Sequence, residues 1–217
     1  MLSDYPYVSV ILLIALLYAG YEDFTRRKIT TLPFLCIDAG LLLYFALTSS
    51  YLAIFLVPVL SEFFLKKYSM IIYVLVILPL LLSPSIITLS LAYSILLIKA
   101  FSVMIRNFGR GDLKVLQTIA VSVPLYPHLP ILDSLFPPVL AVILIASLIG
   151  VISSAAVHLR GRDEKSVRKF ASLPAEGVKD KNKFWISGDR AVYKIPFVTC
   201  IAVGFAIIFI LSSLRLV

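Results

Sequence analysis

Five acidic side chains stand in or beside the long apolar stretches of this 217-residue chain: Glu22, Asp23, Asp38, Glu62 and Asp112. A carboxylate near the apolar core of a bilayer is costly, so each is a candidate for chemistry. Two are set apart by context. Asp23 closes the first apolar stretch, just before Thr25-Arg26-Arg27-Lys28, and Asp112 opens the sixth within Phe108-Gly109-Arg110-Gly111-Asp112-Leu113-Lys114. Two neighbouring carboxylates cannot both ionise cheaply. They share a proton, and one acts as base while the other acts as acid. That arrangement activates water against a peptide carbonyl. Gly109 and Gly111 have no β-carbon, so the backbone ahead of Asp112 can bend and let a substrate strand come close. The structural alternatives are plain: an Asp opening a helix is most often a cap, and Asp23 can offset Arg26 and Arg27.

The other charges have quieter readings. Asp38 lies about one turn inside the second stretch and Lys99 at similar depth in the fifth. A buried Asp38–Lys99 pair is therefore expected, with a possible part in positioning the site. Glu62 is expected to reach Lys66, one helical turn away. Glu22 is expected to face water or a basic substrate segment. Cys36 and Cys200 sit in apolar runs with no CxxC pair, so neither a zinc site nor a disulfide framework is implied. His128 and His158 read as structural.

The elements that must hold these side chains follow from composition. Hydrophobic residues make up 60% of the chain and charged residues 15%, with a mean hydropathy of +1.01. A soluble domain carries roughly 45–50% apolar and roughly 25% charged residues. A disordered chain is excluded, and a soluble globule would lack a wettable surface. The net charge of +8 first suggests nucleic acid, but the positions of the charges do not. Apolar segments run over 5–21, 33–48, 51–65, 69–83, 85–105, 113–129, 136–157 and 195–214. The expected fold is an all-α polytopic membrane bundle of about eight spans, each needing roughly 17–25 apolar residues. A six-span version treats 51–83 as a re-entrant hairpin. The start of the chain, with Asp4 and no small-x-small site, reads as a retained first span. With the N-terminus outside, the inner connections hold Arg26, Arg27, Lys28, Lys66, Lys67, Arg106 and Arg110. Everything from 158 to 194 also lies inside, including half of the 20 basic residues. The outer connections hold Pro84, His128 and Asp133, and only Arg215 breaks the positive-inside rule. Residues 1–157 form the bundle carrying both aspartates, 158–194 a basic cytoplasmic piece and 195–217 the last span. In that piece, 183–193 reads as a β-hairpin turning at Ser187-Gly188-Asp189. Pro124, Pro127 and Pro130 are expected to unravel the outer end of the sixth span.

At this point the residues resemble a family. Gly109-Arg110-Gly111-Asp112-Leu113-Lys114 fits G-x-G-D-x-K, and an Asp ends the first span. Together they look like the type IV prepilin and preflagellin peptidases, membrane aspartic proteases of the GxGD group. Asp23-Phe-Thr-Arg-Arg-Lys-Ile29-Thr-Thr-Leu-Pro33 resembles the family's first motif but departs from its usual Ile-Pro-Asn ending. Lys194-Ile-Pro-Phe197 resembles archaeal members. About 20 residues carry the resemblance. Bacterial bifunctional members have paired CxxC motifs and a methyltransferase activity, and these motifs are missing here. The presenilin-like branch has a Pro-Ala-Leu motif, whose nearest string here is Pro174-Ala175-Glu176.

The resemblance implies an aspartic endopeptidase of the plasma membrane that needs no metal or cofactor. Asp23 and Asp112 would be catalytic, with Gly109, Gly111 and Lys114 in support and Glu22, Asp38 and Lys99 as possible substrate or positioning residues. Its partners would be the bilayer and precursors with prepilin-like signal peptides, flagellin-like or pilin-like, cut at the cytoplasmic interface. Nucleic acid would not be a partner. Two other classes remain: a transporter or channel with Asp38, Glu62 and Lys99 along a path, and a non-enzymatic assembly subunit docking through 158–194.

Overall fold

A computed structural model describes residues 6–48, 50–65, 67–82, 85–104, 108–122, 138–160, 173–174, 184–187 and 190–213. The expectations for Lys66, Pro84, Arg106, Pro124, Pro127, His128, Pro130, Asp133 and Arg215, and for most of 158–194, lie outside the described residues. Among the described residues there are eight α-helices and one small sheet. The helices are α1 (Pro6–Arg26), α2 (Leu32–Leu47), α3 (Ala53–Phe64), α4 (Ser69–Leu80), α5 (Ile86–Met104), α6 (Arg110–Ser122), α7 (Pro138–Arg160) and α8 (Phe197–Ser213). The strands are β1 (Leu173–Pro174), β2 (Phe184–Ser187) and β3 (Arg190–Tyr193).

Proline marks several helix starts. Pro6 and Pro138 open α1 and α7, Pro33 sits in the first turn of α2, and Pro196 immediately precedes α8. The first turn needs no N–H from its residues, so proline fits there. Pro58 lies inside α3, where the Ser61 hydroxyl donates to the Pro58 carbonyl at 2.6 Å.

One helix overlaps each apolar segment, but the helices are not equally long. Among the described residues two stretches are long and apolar enough to cross a membrane, Tyr7–Arg26 and Val139–Ala156. Helices α3 and α4 have 12 residues each, a rise of roughly 18 Å against a hydrocarbon core of about 30 Å. The bundle is helical as expected, but the helix lengths do not support eight spans.

Helix α8 packs against α1 and α7, while α2, α3 and α4 pack in sequence and α5 lies against α6. Helix α6 is central: it touches α1, α2, α3, α5, α7 and α8, and every residue from 115 to 122 is buried. This most enclosed helix carries Gln117, Thr118 and Ser122, all with no exposure. The outer faces, by contrast, show large apolar side chains, among them Ile14, Leu75, Leu82 and Leu148. The core is mainly apolar, with these polar side chains enclosed in it, and large apolar side chains also cover the outer faces.

The internal polar groups tie helices together. The Thr118 hydroxyl donates to Asp38 Oδ2 at 3.0 Å, linking α6 to α2. Lys99 on α5 forms an ion pair with Glu62 on α3, donates to Ser69 Oγ at 3.2 Å and lies 5.1 Å from the Tyr73 ring centroid. Gln117 donates to the Tyr73 hydroxyl. The expected Asp38–Lys99 pair is thus replaced by two separate ties. Lys99 faces α3 and α4, whereas Asp38 faces α6. Glu62 pairs with Lys99, and its expected contact with Lys66 lies outside the described residues.

The sheet has the order β1-β3-β2. Strands β2 and β3 pair antiparallel, with Phe184 opposite Tyr193 and Ser187 opposite Arg190. Gly188 and Asp189 of the expected turn lie outside the described residues. The third strand, β1, pairs antiparallel with β3 and has too short a segment to be read from alternation.

Candidate active site

Asp23 stands on the last turn of α1. The helix closes when the Arg27 N–H donates to the Asp23 carbonyl at 3.1 Å, with Arg27 at φ 57°. This is the left-handed closure usually made by glycine. The side chain of Asp23 leaves its own helix and caps another. Its Oδ2 accepts from the Val198 N–H at 2.9 Å and the Thr199 N–H at 3.4 Å, in the first turn of α8. Pro196, just ahead of α8, has no side-chain acceptor to offer those donors, so Asp23 supplies one from α1. The Thr199 hydroxyl returns a bond to the Gly20 carbonyl at 2.7 Å. The end of α1 is thereby seated on the start of α8.

Asp112 is the third residue of α6, and its Oδ2 accepts from the Gly109 N–H at 3.1 Å. That is one half of a capping box, the acid reaching back to the residue before the helix. The Gly109 carbonyl accepts from Leu113 at 3.1 Å and starts the helical ladder. Gly111 lies under Ile29: a β-carbon there would meet the end of the Ile29 side chain, which would have to shift. This contact lays the loop between α1 and α2 on the start of α6. Phe108 and Phe197 meet edge to face with centroids 6.2 Å apart, holding the starts of α6 and α8 together.

Asp23 and Asp112 therefore come to one junction of α1, α6 and α8, where each acts electrostatically on its surroundings. The Asp23 charge is felt by Asp112 and by the buried Cys200, and the Arg27 charge by Asp23 and Cys200. Among the described residues, each carboxylate has Oδ2 held by backbone N–H and makes no hydrogen bond at Oδ1. One oxygen of each is fixed while the other remains to meet water or a carbonyl group.

The remaining candidates separate. Gly109 and Gly111 belong to the junction. Glu22 does not face water: it is 6% exposed and holds the loop, accepting from the Thr30 N–H at 2.8 Å, the Thr30 hydroxyl at 3.1 Å and the Tyr18 hydroxyl at 3.2 Å. It positions the loop whose Ile29 covers Gly111. Lys114 turns towards α3, with Nζ 4.2 Å from the Phe63 ring centroid. Asp38 and Lys99 lie in the helix ties described above. Among the described residues no group of three or more His, Cys, Asp or Glu gathers as a metal ion would need.

Sequence reasoning placed Arg27 beside Asp23 but missed the first turn of α8 and Cys200 as parts of this junction. The signal was present in Pro196-Phe197, since a proline before an apolar run marks a helix start whose donors need a partner. Comparison with family models, with curated proteins and with solved structures gives no match.

Proposed function

We propose that the protein is a membrane-embedded aspartic endopeptidase that removes a short basic leader from flagellin-like or pilin-like precursors. The observation that carries the reading is the arrival of Asp23 and Asp112, from α1 and α6, at one junction of helix ends. The motif resemblance names the same two residues. The large apolar side chains exposed on the outer faces support a bilayer as the surroundings. Within it α3 and α4, too short to cross, form a re-entrant hairpin, so the six-crossing arrangement is preferred. The N-terminus is outside, and the junction, next to Arg26, Arg27 and Lys28, lies at the cytoplasmic interface.

In this reading the apolar helix of the precursor stays in the bilayer and its leader stays in the cytoplasm. The scissile bond then falls at the junction. One carboxylate takes a proton from water as the oxygen attacks the carbonyl carbon. The other delivers its proton to the carbonyl oxygen. The proton then passes to the leaving amine as the C–N bond breaks. Oxygens held by backbone N–H groups keep both carboxylates oriented through this cycle.

Single replacements test it. Asp23→Asn and Asp112→Asn keep an oxygen for the helix starts but cannot exchange the proton. Leader removal in membranes should fall by roughly 10²–10⁴-fold in each. Either variant cleaving at the wild-type rate would end the proposal. A transport reading draws on the buried Glu62, Lys99 and Asp38. It predicts instead that replacing those three abolishes function while both Asn variants retain it.

A further inference from the structure

Two oxygens deep in the bundle have no donor. Among the described residues, Asp38 Oδ1 and Gln117 Oε1 accept no hydrogen bond, and both side chains have no exposure. Leaving a buried acceptor unmatched is costly, and more so when it carries charge. Folded proteins satisfy nearly all such groups, so each exception calls for a reason.

Both oxygens belong to one polar layer of α2, α4 and α6. Gln117 and Thr118 are successive residues of α6. Thr118 is bonded to Asp38 Oδ2 on α2, and the Gln117 amide nitrogen donates to the Tyr73 hydroxyl on α4. The Asp38 charge is felt in turn at the Tyr73 phenol. Two bonded pairs therefore stand near one another, each with an acceptor oxygen left over. The donors around them are already engaged. The Thr118 hydroxyl has one hydrogen for two acceptors, Asp38 Oδ2 and the Lys114 carbonyl, both at 3.0 Å. The Ser122 hydroxyl donates to the Thr118 carbonyl at 2.7 Å. Lys99, over the Tyr73 ring, is taken by Glu62 and Ser69.

Charge selects the ligand. A carboxylate inside the bundle needs a counter-charge, and among the described residues no Lys or Arg pairs with Asp38. Glu62 and Lys99 cancel, so the layer keeps one formal negative charge and two acceptor oxygens. Water would donate to the oxygens but leave the charge. A divalent ion would overshoot a single carboxylate and is commonly held by several. Among the described residues no group of three or more His, Cys, Asp or Glu gathers. A monovalent cation takes oxygen ligands and balances the charge.

We infer that α2, α4 and α6 bind a single monovalent alkali cation on Asp38 Oδ1 and Gln117 Oε1. In this arrangement Thr118 holds the other carboxylate oxygen, and Tyr73 takes the amide nitrogen and leaves the amide oxygen to the ion. The site uses neither Asp23 nor Asp112 and does not depend on the peptidase reading.

Thermal unfolding and ion binding test it. The full chain is stripped of alkali ions in dodecyl maltoside, an uncharged detergent. Its midpoint is followed as sodium or potassium chloride replaces choline chloride at constant ionic strength. Choline keeps the screening constant and is too large for the interior. A ligand held only by the folded state raises the midpoint, by about 5–10 °C at a hundredfold excess over its dissociation constant for a chain of this size. The ion that raises it should bind at one per chain, counted with radioactive sodium or with rubidium as the potassium tracer. Asp38→Asn keeps an oxygen for Thr118 and removes the charge. It should lose both the binding and the rise, and its midpoint without alkali ions should equal or exceed that of wild type, because no uncompensated charge remains. Gln117→Met keeps the charge and removes one ligand oxygen, so its dissociation constant for the ion should rise at least tenfold. Wild type that binds neither ion, with a midpoint unmoved by both, would overturn the inference and leave the two oxygens to water or to a proton on Asp38. Binding that survives unchanged in Asp38→Asn or in Gln117→Met would overturn it by placing the ion elsewhere.

Discussion

Asp23 performs two tasks that ordinary substitution would confuse. Its Oδ2 caps α8, so removing the side chain weakens the fold as well as any chemistry. Replacement by alanine at a capping position costs about 0.5–2 kcal/mol. Asp23→Ala should therefore lower the thermal midpoint in detergent, while Asp23→Asn, which still offers an amide oxygen to Val198 and Thr199, should leave it nearly unchanged. If both variants are inactive and only the alanine variant is unstable, the chemical and structural tasks are separated. An Asn variant as unstable as the Ala variant would show that the carboxylate charge, more than the bond, holds α8. Arg27 offers a second test at this scale. Its φ of 57° strains any residue with a β-carbon, at a cost of order 1 kcal/mol. Arg27→Gly and Arg27→Ala both lose the guanidinium, but only glycine relieves the backbone. The glycine variant should be the more stable by about 1 kcal/mol in thermal or denaturant unfolding. Equal stability would remove the strain argument.

Between elements, the contact of Ile29 with Gly111 joins the α1–α2 loop to α6. Gly111→Ala places a methyl group inside the Ile29 side chain, and overpacking of this kind costs about 1–3 kcal/mol. Shortening the partner should restore room. The double variant Gly111→Ala with Ile29→Ala should recover stability and leader removal relative to Gly111→Ala alone, a coupling that a double-mutant cycle measures directly. Additive effects would mean that the two elements do not depend on this contact. The same contact shows where sequence reasoning stops. The apolar segments were legible because long runs of Leu, Ile, Val and Phe have few other uses, and one helix overlaps each of them, though α1, α6 and α7 run past the expected ends. The two aspartates were legible because acids are scarce near such runs. The neighbours were not. Asp38 and Lys99 have matching depths and opposite charges, yet the helices that carry them face different partners, and depth along a helix says nothing about azimuth. Helix length was also hard to read: α3 and α4 have 12 residues each inside an apolar stretch long enough to suggest two spans. The cap on α8 was hidden because its acceptor comes from the far end of the chain.

Across the whole molecule, α6 is the axis on which the other helices are arranged, and its surroundings hold most of the buried polarity. The Glu62–Lys99 pair beside it has little exposure on either side, which makes its energetics asymmetric. Removing one partner leaves a buried charge without compensation and destabilises by about 3–5 kcal/mol, whereas replacing both with apolar or neutral groups of similar size is often neutral. Lys99→Met alone should therefore reduce the yield of folded protein and its thermal midpoint, and Glu62→Gln with Lys99→Met should restore both. If the bundle serves only to hold Asp23 and Asp112 together, leader removal should return with stability in the double variant. A double variant that folds normally but no longer cleaves would show that the pair contributes charge to the reaction, and normal stability in the single variant would show that water reaches Glu62 in the membrane. The comparison assigns the interior charges either to the architecture or to the chemistry, because stability and leader removal are measured on the same three proteins.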